Sequence, residues 1–331
     1  MKKVTVYTIA KEAGVSVSTV SNILNHKTGN YSSETERTVK VIASRLGYQF
    51  KTKKIKLITP VLENFNPDEN RFHVEMRNGI REVCKQYKFH LQELYIPFNY
   101  FAGQITEILE KDDCDGILLV GSILKKEQID LMHISKKPYV LIDNGLSGQE
   151  HNSVSINNES NAFALTELLI NNHHTNIGFV GANSDIQNYL ERENGFRQAM
   201  NYYQLERKRI YDIPATQAGD IDEKKLETHL QKLIKTKNPP TAYCAANDYC
   251  AYILIKACDR LGIKMSVTGF DNISLLEPYD DYLTTATIHS DQLGIVAIER
   301  LLQLIDNPTQ TSTKILVSTE ILVKNSVLKN Y

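Results

Sequence analysis

The 331-residue sequence contains no tryptophan and no apolar run long enough to span a bilayer. Its five cysteines are odd in number and scattered, with no C-x-x-C pair, so they predict reduced thiols rather than a disulfide framework. Polar residues interrupt the stretch that follows Met1-Lys2-Lys3, which argues against a secretory signal. We therefore expect a cytoplasmic globular protein with no membrane segment.

Motifs of common enzymes are missing as well. The chain has no G-x-G-x-x-G, no G-x-x-x-x-G-K-[ST] and no G-x-S-x-G. His173 and His174 are adjacent, so they point apart on a helix, and no third ligand stands at zinc-site spacing. We interpret His174 as structural and expect no catalysis, metal or cofactor, with an α/β enzyme as the less favoured alternative.

The net charge of −1 hides a separation of charge along the chain. Residues 1–56 hold nine Lys and two Arg against three Glu, a net charge of +8, whereas the remainder holds 27 basic and 36 acidic residues. A small basic segment ahead of an acidic body predicts a polyanionic partner, such as DNA, for that segment only. It argues against the other alternative, a sugar-binding protein without a DNA role.

Within the basic segment, residues 5–25 have the pattern of two short helices joined by a sharp turn at Gly14. Thr5 and Ser16 stand where the two helices would be capped. Apolar residues recur at helical spacing, namely Val6, Ile9, Ala10 and Ala13, then Val20, Ile23 and Leu24. Short polar residues on the other face of the second helix favour insertion into a DNA major groove, with an ordinary helical hairpin as the structural alternative.

A third helix and then a change of period follow. Ser32 or Ser33 caps a helix with an apolar face at Val39, Ile42, Ala43 and Leu46. From Leu57 onward, strand-like runs alternate with amphipathic stretches, which predicts parallel sheets with helices on both faces. We expect strands at 57–62, 91–96, 116–120, 139–142, 153–156, 177–180, 242–245, 265–270 and 285–288. Helices are expected at 74–87, 159–171, 223–234, 249–261 and 291–304.

These segments resemble the LacI/GalR family of transcription regulators. The resemblance rests on A-G-V-S at 13–16, S-T-V-S at 18–21, Asn25, S-S-E-T at 32–35, L-G-Y at 46–48, V-L-I-D at 140–143, I-G-F-V-G at 177–181, G-F-R at 195–197, A-A-N-D at 245–248 and G-F-D-N at 269–272. It implies a homodimeric repressor of a carbohydrate-utilisation operon, whose affinity for operator DNA is set by a sugar-like effector. A lone headpiece reads too few bases for specificity, which is a physical reason to expect two.

The resemblance also divides the chain. It implies a small all-α helix-turn-helix headpiece at 1–50, a short basic linker at 51–56 and an effector-binding and dimerisation core at 57–331. The core is expected to be an α/β fold of two lobes with doubly wound parallel sheets, like periplasmic binding proteins. Its N-lobe comprises about 57–154 and 287–317, and its C-lobe about 155–286 and 318–331, so the chain would cross between lobes near 153–156, 285–289 and 316–320.

Family positions for DNA contact fall on Thr5, Tyr7, Ser16, Val17, Ser18, Thr19, Ser21, Asn22, Asn25, Ser32 and Thr35. Hydroxyls at helix starts suit phosphates, although a plain helix cap explains each serine equally well. Base readout is expected from Val17, Ser18 and Asn22, because valine can touch a thymine methyl and asparagine can bond adenine bidentately. Many relatives carry Arg where this chain has Asn22, so we expect A·T in its operator where theirs has G·C.

The linker departs from the family pattern. Relatives follow L-G-Y with roughly a dozen residues that form a hinge helix and wedge a leucine into the minor groove. Here residues 49–56 leave no room for that helix, so we expect neither the usual kink nor the usual coupling of effector to DNA. Phosphate contacts from Lys51, Lys53 and Lys54 are expected instead.

Effector contacts are implied mainly near strand ends, where open α/β sheets bind ligands. The residues are Asn70, Arg71 and Phe72 in the first strand-to-helix loop, and Asp143, Arg192, Asn247 and Asp271. Two alternatives stay open, since Arg192 could pair with Glu191 or Glu193, and Asn247-Asp248 could cap the next helix, the role we favour for Asp248.

Two substitutions bear on the ligand. Leu190 and Ile221 stand where relatives often have an arginine and an aromatic residue, which predicts a pocket that is less polar at one spot and lacks one stacking surface. We therefore expect a ligand other than an ordinary free pyranose. Residues 68–80 are faintly similar to repressors of β-galactosidase operons, which points to a galactoside.

Overall fold

The computed structural model describes residues 4–24, 30–48, 52–63, 65–111, 113–144, 151–181, 186–205, 222–273 and 281–330. These residues form a helical headpiece and two α/β lobes, each built on its own sheet. Asn25 and Lys51, both assigned to DNA, and Ile221 lie outside the described residues. Among the helices of the described ranges, none has both the length and the apolar character that crossing a membrane demands.

Three helices form the headpiece, α1 (Val6–Ala13), α2 (Val17–Leu24) and α3 (Ser33–Arg45). Gly14 ends α1 with a φ of 66°, a left-handed conformation that glycine adopts without strain. The apolar faces of the three helices meet in a core that includes Ile9, Val20 and Val39, each fully buried. Because this core fixes α2 against α1 and α3, the polar face of α2 stays on the outside.

The N-lobe sheet has six parallel strands, β1 (Lys54–Val61), β2 (His90–Pro97), β3 (Gly116–Val120), β4 (Tyr139–Ile142), β5 (Ser153–Ile156) and β10 (Lys314–Val317). Their order across the sheet is β10-β5-β4-β3-β1-β2. The helices of this lobe are α4 (Arg71–Gln86), α5 (Phe101–Glu110), α6 (Lys126–Asp130) and α11 (Ser290–Asp306). A 3₁₀ turn at Leu131–Ile134 continues α6.

The C-lobe sheet has five strands, β6 (Ile177–Val180), β7 (Ala242–Ala245), β8 (Ser266–Asp271), β9 (Thr284–Thr287) and β11 (Glu320–Leu322). Their order is β11-β9-β8-β7-β6, and all run parallel except β11, which is antiparallel to β9. The helices are α7 (Asn158–Asn171), α8 (Gln187–Tyr202), α9 (Glu223–Leu233) and α10 (Asp248–Leu261). The chain passes between the sheets after β5, after β9 and after β10.

β1 begins at Lys54 rather than at Leu57, which corrects the linker expected at 51–56. Lys56 is only 3% exposed and pairs with Asp113, and the Lys54 backbone N–H donates to Asp115 Oδ2 at 2.8 Å. Asp113 and Asp115, just before β3, thus pair with lysines that the sequence alone suggested were part of a basic linker. The connection between α3 and β1 therefore consists of residues 46–53 and ends three residues earlier than expected.

Glycines bring helices into backbone contact in both lobes. A Cβ on Gly79 of α4 would lie 2.2 Å from the Asp291 carbonyl oxygen, and one on Gly294 of α11 would lie 2.1 Å from that of Met76. In the C-lobe, a Cβ on Gly195 of α8 would lie 2.1 Å from the Glu159 carbonyl oxygen of α7. Only glycine permits such close approach, so each lobe has one helix pair held tightly together.

Candidate DNA-binding and effector-binding sites

The outer surface of the headpiece carries the residues assigned to DNA. Val17, 43% exposed, and the exposed Ser18 begin α2, and Tyr7 is 70% exposed on α1. Ser21 and Asn22 follow one turn later on the same side of α2 and are half-buried. An apolar side chain beside short polar ones can contact thymine methyls and base-edge hydrogen-bonding groups together.

Hydroxyls among the assigned residues also cap helices. Ser16 Oγ accepts the backbone N–H of Thr19 at 3.0 Å, and the oxygens of Thr5 and Ser32 accept at 3.3 and 3.1 Å at the starts of α1 and α3. The Thr35 hydroxyl lies 2.9 Å from that of Ser32. Capping uses an acceptor lone pair and a phosphate contact uses a donor, so one hydroxyl is compatible with both roles.

Lys53 and Lys54, assigned to DNA phosphates, pair with N-lobe acids instead. Lys53 Nζ lies 3.0 Å from Asp306 Oδ1 and 5.7 Å from the centre of the Phe89 ring, and Lys54 Nζ lies 2.9 Å from Asp113 Oδ2. A lysine already neutralised by a carboxylate adds little to phosphate binding. The assignment of both lysines to DNA phosphates stays a prediction, and it requires phosphates to compete with these carboxylates.

A cavity of about 670 Å³ lies between the carboxyl edges of the two sheets. All seven residues assigned to the effector line it, namely Asn70, Arg71, Phe72, Asp143, Arg192, Asn247 and Asp271. Residues that the sequence analysis missed complete the wall, chiefly Phe65, His73, Asn188, Tyr189 and Tyr249. A concave site of this size with converging polar groups is typical of small-molecule binding.

Arg192 organises the C-lobe side of this cavity. It is 3% exposed, and its Nη1 lies 3.0 Å from Asp271 Oδ1 and donates to the Ala246 carbonyl at 2.7 Å. Its Nε donates to Asn158 Oδ1 at 2.9 Å, and its guanidinium carbon lies 3.8 Å from the centre of the Phe270 ring. Four neighbours therefore hold the guanidinium in one orientation.

The alternative partners of Arg192 are engaged elsewhere. Glu191 Oε2 accepts from Asn158 at 2.9 Å, and Glu193 pairs with Arg197 one turn along α8. The pairing with either glutamate, left open by the sequence, does not occur. Arg192 and Glu191 nevertheless share Asn158, which donates to one and accepts from the other.

Asp271 ends β8 with a φ of 105° and a side chain that is 27% exposed. Burial raises its pKa, while Arg192 acts in the opposite direction. Behind it, Asp248 accepts from the Thr285 hydroxyl at 2.6 Å and from the Ile273 backbone N–H at 2.9 Å. These two hydrogen bonds connect the start of α10 to β9 and to the segment after β8. Burial raises the pKa of Asp248 to about 7.

Asn247, not Asp248, caps α10, which corrects the role favoured for Asp248. Asn247 Oδ1 accepts the Cys250 backbone N–H at 2.8 Å. Its Nδ2 donates to the Tyr189 hydroxyl at 2.9 Å, within the cavity wall. The cap and the ligand-facing amide are therefore two ends of one side chain.

Asp143 lies on the N-lobe side, directly after β4, with a φ of 58° and 4% exposure. Asn188 of α8 donates to Asp143 Oδ2 at 3.0 Å, a hydrogen bond that joins the two lobes. Asp143 Oδ1 has no hydrogen-bond partner in the described part of the chain. Burial raises the pKa of Asp143 to about 7, against the opposing effect of the Asn188 hydrogen bond.

Asn70, Arg71 and Phe72 begin α4 rather than lying in a loop, which corrects their expected setting. Asn70 Oδ1 caps the helix by accepting the His73 backbone N–H at 3.2 Å. Arg71 Nε lies 2.7 Å from Glu75 Oε1, and its Nη1 donates across the cleft to the Asn272 carbonyl at 3.1 Å. Arg71 thus makes the second hydrogen bond between the lobes.

Leu190 is 43% exposed and does not contribute to the cavity wall, so it does not create the less polar spot that was expected. Among the α8 residues that line the cavity, Asn188 and Arg192 stand four apart and therefore on one helix face. That spacing could have found Asn188 once Arg192 was assigned. His174 Nε2 donates to the Leu328 carbonyl at 2.9 Å, and its Nδ1 lies 2.8 Å from the Thr241 hydroxyl, as expected of a structural histidine.

Two family models together match more than half of the chain. Residues 5–50 match the family described as bacterial regulatory proteins, lacI family. Residues 166–327 match the periplasmic binding protein-like domain. Curated relatives include catabolite control protein A of Priestia megaterium, 26% identical over 94% of this chain and 95% of the relative. The HTH-type transcriptional repressor PurR of Photobacterium profundum is 26% identical over 98% of both chains.

Solved structures share the fold. A complex of the transcriptional regulator CelR with cellobiose superposes with a TM-score of 0.70 at 20% identity, covering 98% of this chain and 99% of that one. The lac repressor dimer bound to operator and the anti-inducer ONPF gives 0.69 at 19% identity, covering 99% and 100%. A LacI family regulator from Enterococcus faecium with bound ribose gives 0.65 at 19% identity, covering 83% and 100%.

Proposed function

Because the chain belongs to the lacI family of bacterial regulatory proteins, we propose that its core binds a neutral, hydroxyl-rich effector that sets the affinity of the headpiece for operator DNA. The family makes the chain a DNA-binding transcriptional repressor with a periplasmic-binding-protein-like effector domain, not an enzyme. The proposal concerns the class of effector, the residues that bind it and the way the signal crosses the cleft.

The observation that carries the effector class is the charge balance of the cavity wall. Both arginines of the described wall, Arg71 and Arg192, already pair with carboxylates. Asp143 offers an unpaired acceptor oxygen, and a buried acceptor without a partner costs free energy until a donor arrives. A ligand hydroxyl supplies that donor without adding charge, whereas an anionic ligand meets carboxylates and no unpaired cation in this wall.

Aromatic rings at opposite sides of the cavity support a sugar. Phe72 belongs to the N-lobe helix α4, and Tyr189 and Tyr249 belong to the C-lobe helices α8 and α10. Tyr249 is 43% exposed and Tyr189 is held by Asn247. Apolar ring faces beside hydrogen-bonding groups match the two kinds of surface that a pyranose or a disaccharide presents. We include galactosides among the candidates.

Within the described ranges, two hydrogen bonds between the lobes provide the coupling. Asn188 donates to Asp143 and Arg71 donates to the Asn272 carbonyl, so each lobe contributes one donor and one acceptor. A ligand that binds between these groups interacts differently with the closed and open forms and therefore shifts their populations. In a homodimer this change in lobe angle alters the spacing of the two headpieces on DNA.

In the headpiece we propose base readout by Val17, Ser18 and Asn22, with phosphate contacts from the hydroxyls near the helix starts. The exposed position of Val17 and Ser18 at the start of α2 supports this division. Since phosphate contacts carry no sequence information, α2 carries most of the specificity.

The test is a gel-shift with the full chain and the DNA upstream of its own coding sequence, with and without added ligands. We expect retardation at low salt and a change in affinity with one or more neutral mono- or disaccharides, galactosides included. Calorimetry of the same ligands should give one site per chain. Response only to sugar phosphates or nucleobases would contradict the effector class, and no retardation would contradict the DNA role.

Asn22→Ala gives the matching test of readout. On operators that carry A·T or G·C at the position facing residue 22, we expect the wild type to prefer A·T by about 1–3 kcal/mol and the variant to lose that preference. An equal loss of affinity on both operators would contradict the assignment.

A further inference from the structure

A second polar cluster lies away from the effector cavity, on the N-lobe. It consists of Asp130 at the end of α6, His133 in the 3₁₀ turn that follows, and His151 just before β5. One ligand atom from each residue lies within 4.8 Å of the other two, and the His133 and His151 ring centres are 4.7 Å apart. Asp130 and His133 are three residues apart, whereas His151 joins them only through the fold.

His151 is the residue that points to a ligand. It is only 6% exposed, and its Nε2 has no hydrogen-bond partner within the described chain. Its Nδ1 lies 2.6 Å from the Tyr139 hydroxyl, which fixes the ring plane. Metal-binding histidines usually have their second nitrogen held in this way by a neighbouring polar group. The His151 ring is stacked at 29° on that of His133, with Asp130 nearby, and its Nε2 still lacks a hydrogen bond.

We propose that Asp130, His133 and His151 bind a divalent transition metal ion, with Zn²⁺ the best match for two imidazoles and one carboxylate. Ligand atoms at about 2.0–2.1 Å from a tetrahedral zinc stand about 3.3 Å apart, so the cluster closes by roughly an ångström on binding. His133 supplies this movement, because its side chain is 58% exposed. Water completes the coordination, as three protein ligands leave a position open.

The site is separate from the effector cavity. Tyr139 begins β4 and Ser153 begins β5, so the cluster lies at the amino edge of the N-lobe sheet, whereas the cavity lies at the carboxyl edge. Lys54 begins β1 at that same amino edge, where the chain arrives from the headpiece. Metal binding would brace the connection between β3 and β4 against the start of β5.

Substitution of Lys126 gives a test that unfolding cannot mimic, because the expected change is tighter binding of the metal. Its Nζ lies 2.9 Å from Asp130 Oδ2, so it competes with a cation for this carboxylate. Lys126→Gln should therefore bind Zn²⁺ several-fold more tightly than the wild type. His133→Ala, at an exposed position, should bind it at least about tenfold more weakly. His90→Ala removes an exposed histidine far from the cluster and should bind as the wild type does.

The experiment is a calorimetric titration of the metal-free full chain with ZnCl₂ in excess Mg²⁺, repeated with Co²⁺ and absorption spectroscopy. We expect one Zn²⁺ per chain, the stated order of the variants and a cobalt spectrum without thiolate charge-transfer bands. Equal binding by wild type and His133→Ala would overturn the proposal. So would thiolate bands, which would assign the metal to cysteines, or an absence of stoichiometric Zn²⁺.

Discussion

Asp143 and Asp271 occupy corresponding places in the two lobes, each at the carboxyl end of a parallel strand and each with a positive φ. Asp271 faces the fixed guanidinium of Arg192, which lies 3.0 Å away. Asp143 has one amide donor from the other lobe and one oxygen with no partner in the described chain. On the C-lobe side of the cavity the carboxylate is therefore already paired without a ligand, whereas on the N-lobe side one carboxylate oxygen is not.

This difference separates stability from binding. Groups that are fully paired in the unliganded protein stabilise the fold. Removing one of them leaves its partner buried without a hydrogen bond, which lowers the free energy of unfolding. A buried group that is left unpaired costs free energy in the folded protein and gains its partner only from the ligand. We therefore expect Arg192 variants to unfold more easily and Asp143 variants to bind less tightly.

The largest effect is expected for Arg192→Met. The change leaves Asp271, Asn158 and the Ala246 carbonyl without their donor, so we expect a loss of about 3 kcal/mol in the free energy of unfolding. Urea denaturation followed by circular dichroism measures it. Arg197→Met on the same helix removes only a partly exposed pair with Glu193 and should cost no more than about 0.5 kcal/mol. Equal losses for both variants would refute the comparison.

A smaller effect is expected for Asp143→Asn. The amide keeps the shape of the side chain and removes a buried carboxylate, so the urea midpoint should stay within error of the wild type or rise. At pH 8, where the carboxyl of Asp143 is ionised, effector affinity should fall by about tenfold to a hundredfold, because a hydrogen bond to a charged acceptor is lost. Calorimetry with the effector found in the gel-shift panel measures the change. A destabilised variant with unchanged affinity would reverse the roles of the two lobes.

The smallest effect is a difference in the pH dependence of stability. Burial raises the pKa of Asp143 to about 7, with Asp271 and Glu191 adding to the rise and Asn188 and Arg192 opposing it. The folded state therefore holds a proton that the unfolded state has released, and its stabilising contribution is lost as pH rises toward and through 7.

Urea midpoints at pH 5 and pH 8 provide the measurement. We expect the wild type to lose more stability over this interval than Asp143→Asn does. Asp248, whose pKa burial also raises to about 7, leaves a residual slope in both proteins. An equal decline in the two proteins would show that Asp143 is charged throughout this interval and would contradict its raised pKa.

The sequence predicts the lobes well where apolar blocks are short and bounded by turns. β3, β4, β5, β6 and β7 occur residue for residue as expected, and except for β5 (S-V-S-I) these buried parallel strands are short, largely apolar runs. β10 and β11 were not predicted, since only alternate residues of β10 are half-buried and β11 has three residues. The start of β1 was missed because its lysines are compensated by acids far along the chain.

The cavity shows the same limit. Strand ends and family motifs identify Asp143, Asn247 and Asp271, since their positions follow from local pattern. The partner of Arg192 stands 79 residues away, and the nearer glutamates offered a local alternative that the fold does not use. His151 likewise meets His133 only through the packing of the sheet edge. Pairings across distant elements depend on the fold and cannot be read from spacing.

The close contact between α4 and α11 constrains the order in which the protein can be assembled on the ribosome. Gly79 lies on α4, near the beginning of the core, and Gly294 lies on α11, which is translated only after β9. Close packing at these glycines joins the two helices. Until residue 294 has emerged, α4 has no partner on that face, and the N-lobe sheet still lacks β10. The N-lobe begins first, yet its last strand, β10, is made only just before β11 of the C-lobe, so an unfinished chain exposes the contact face of α4 for most of its synthesis.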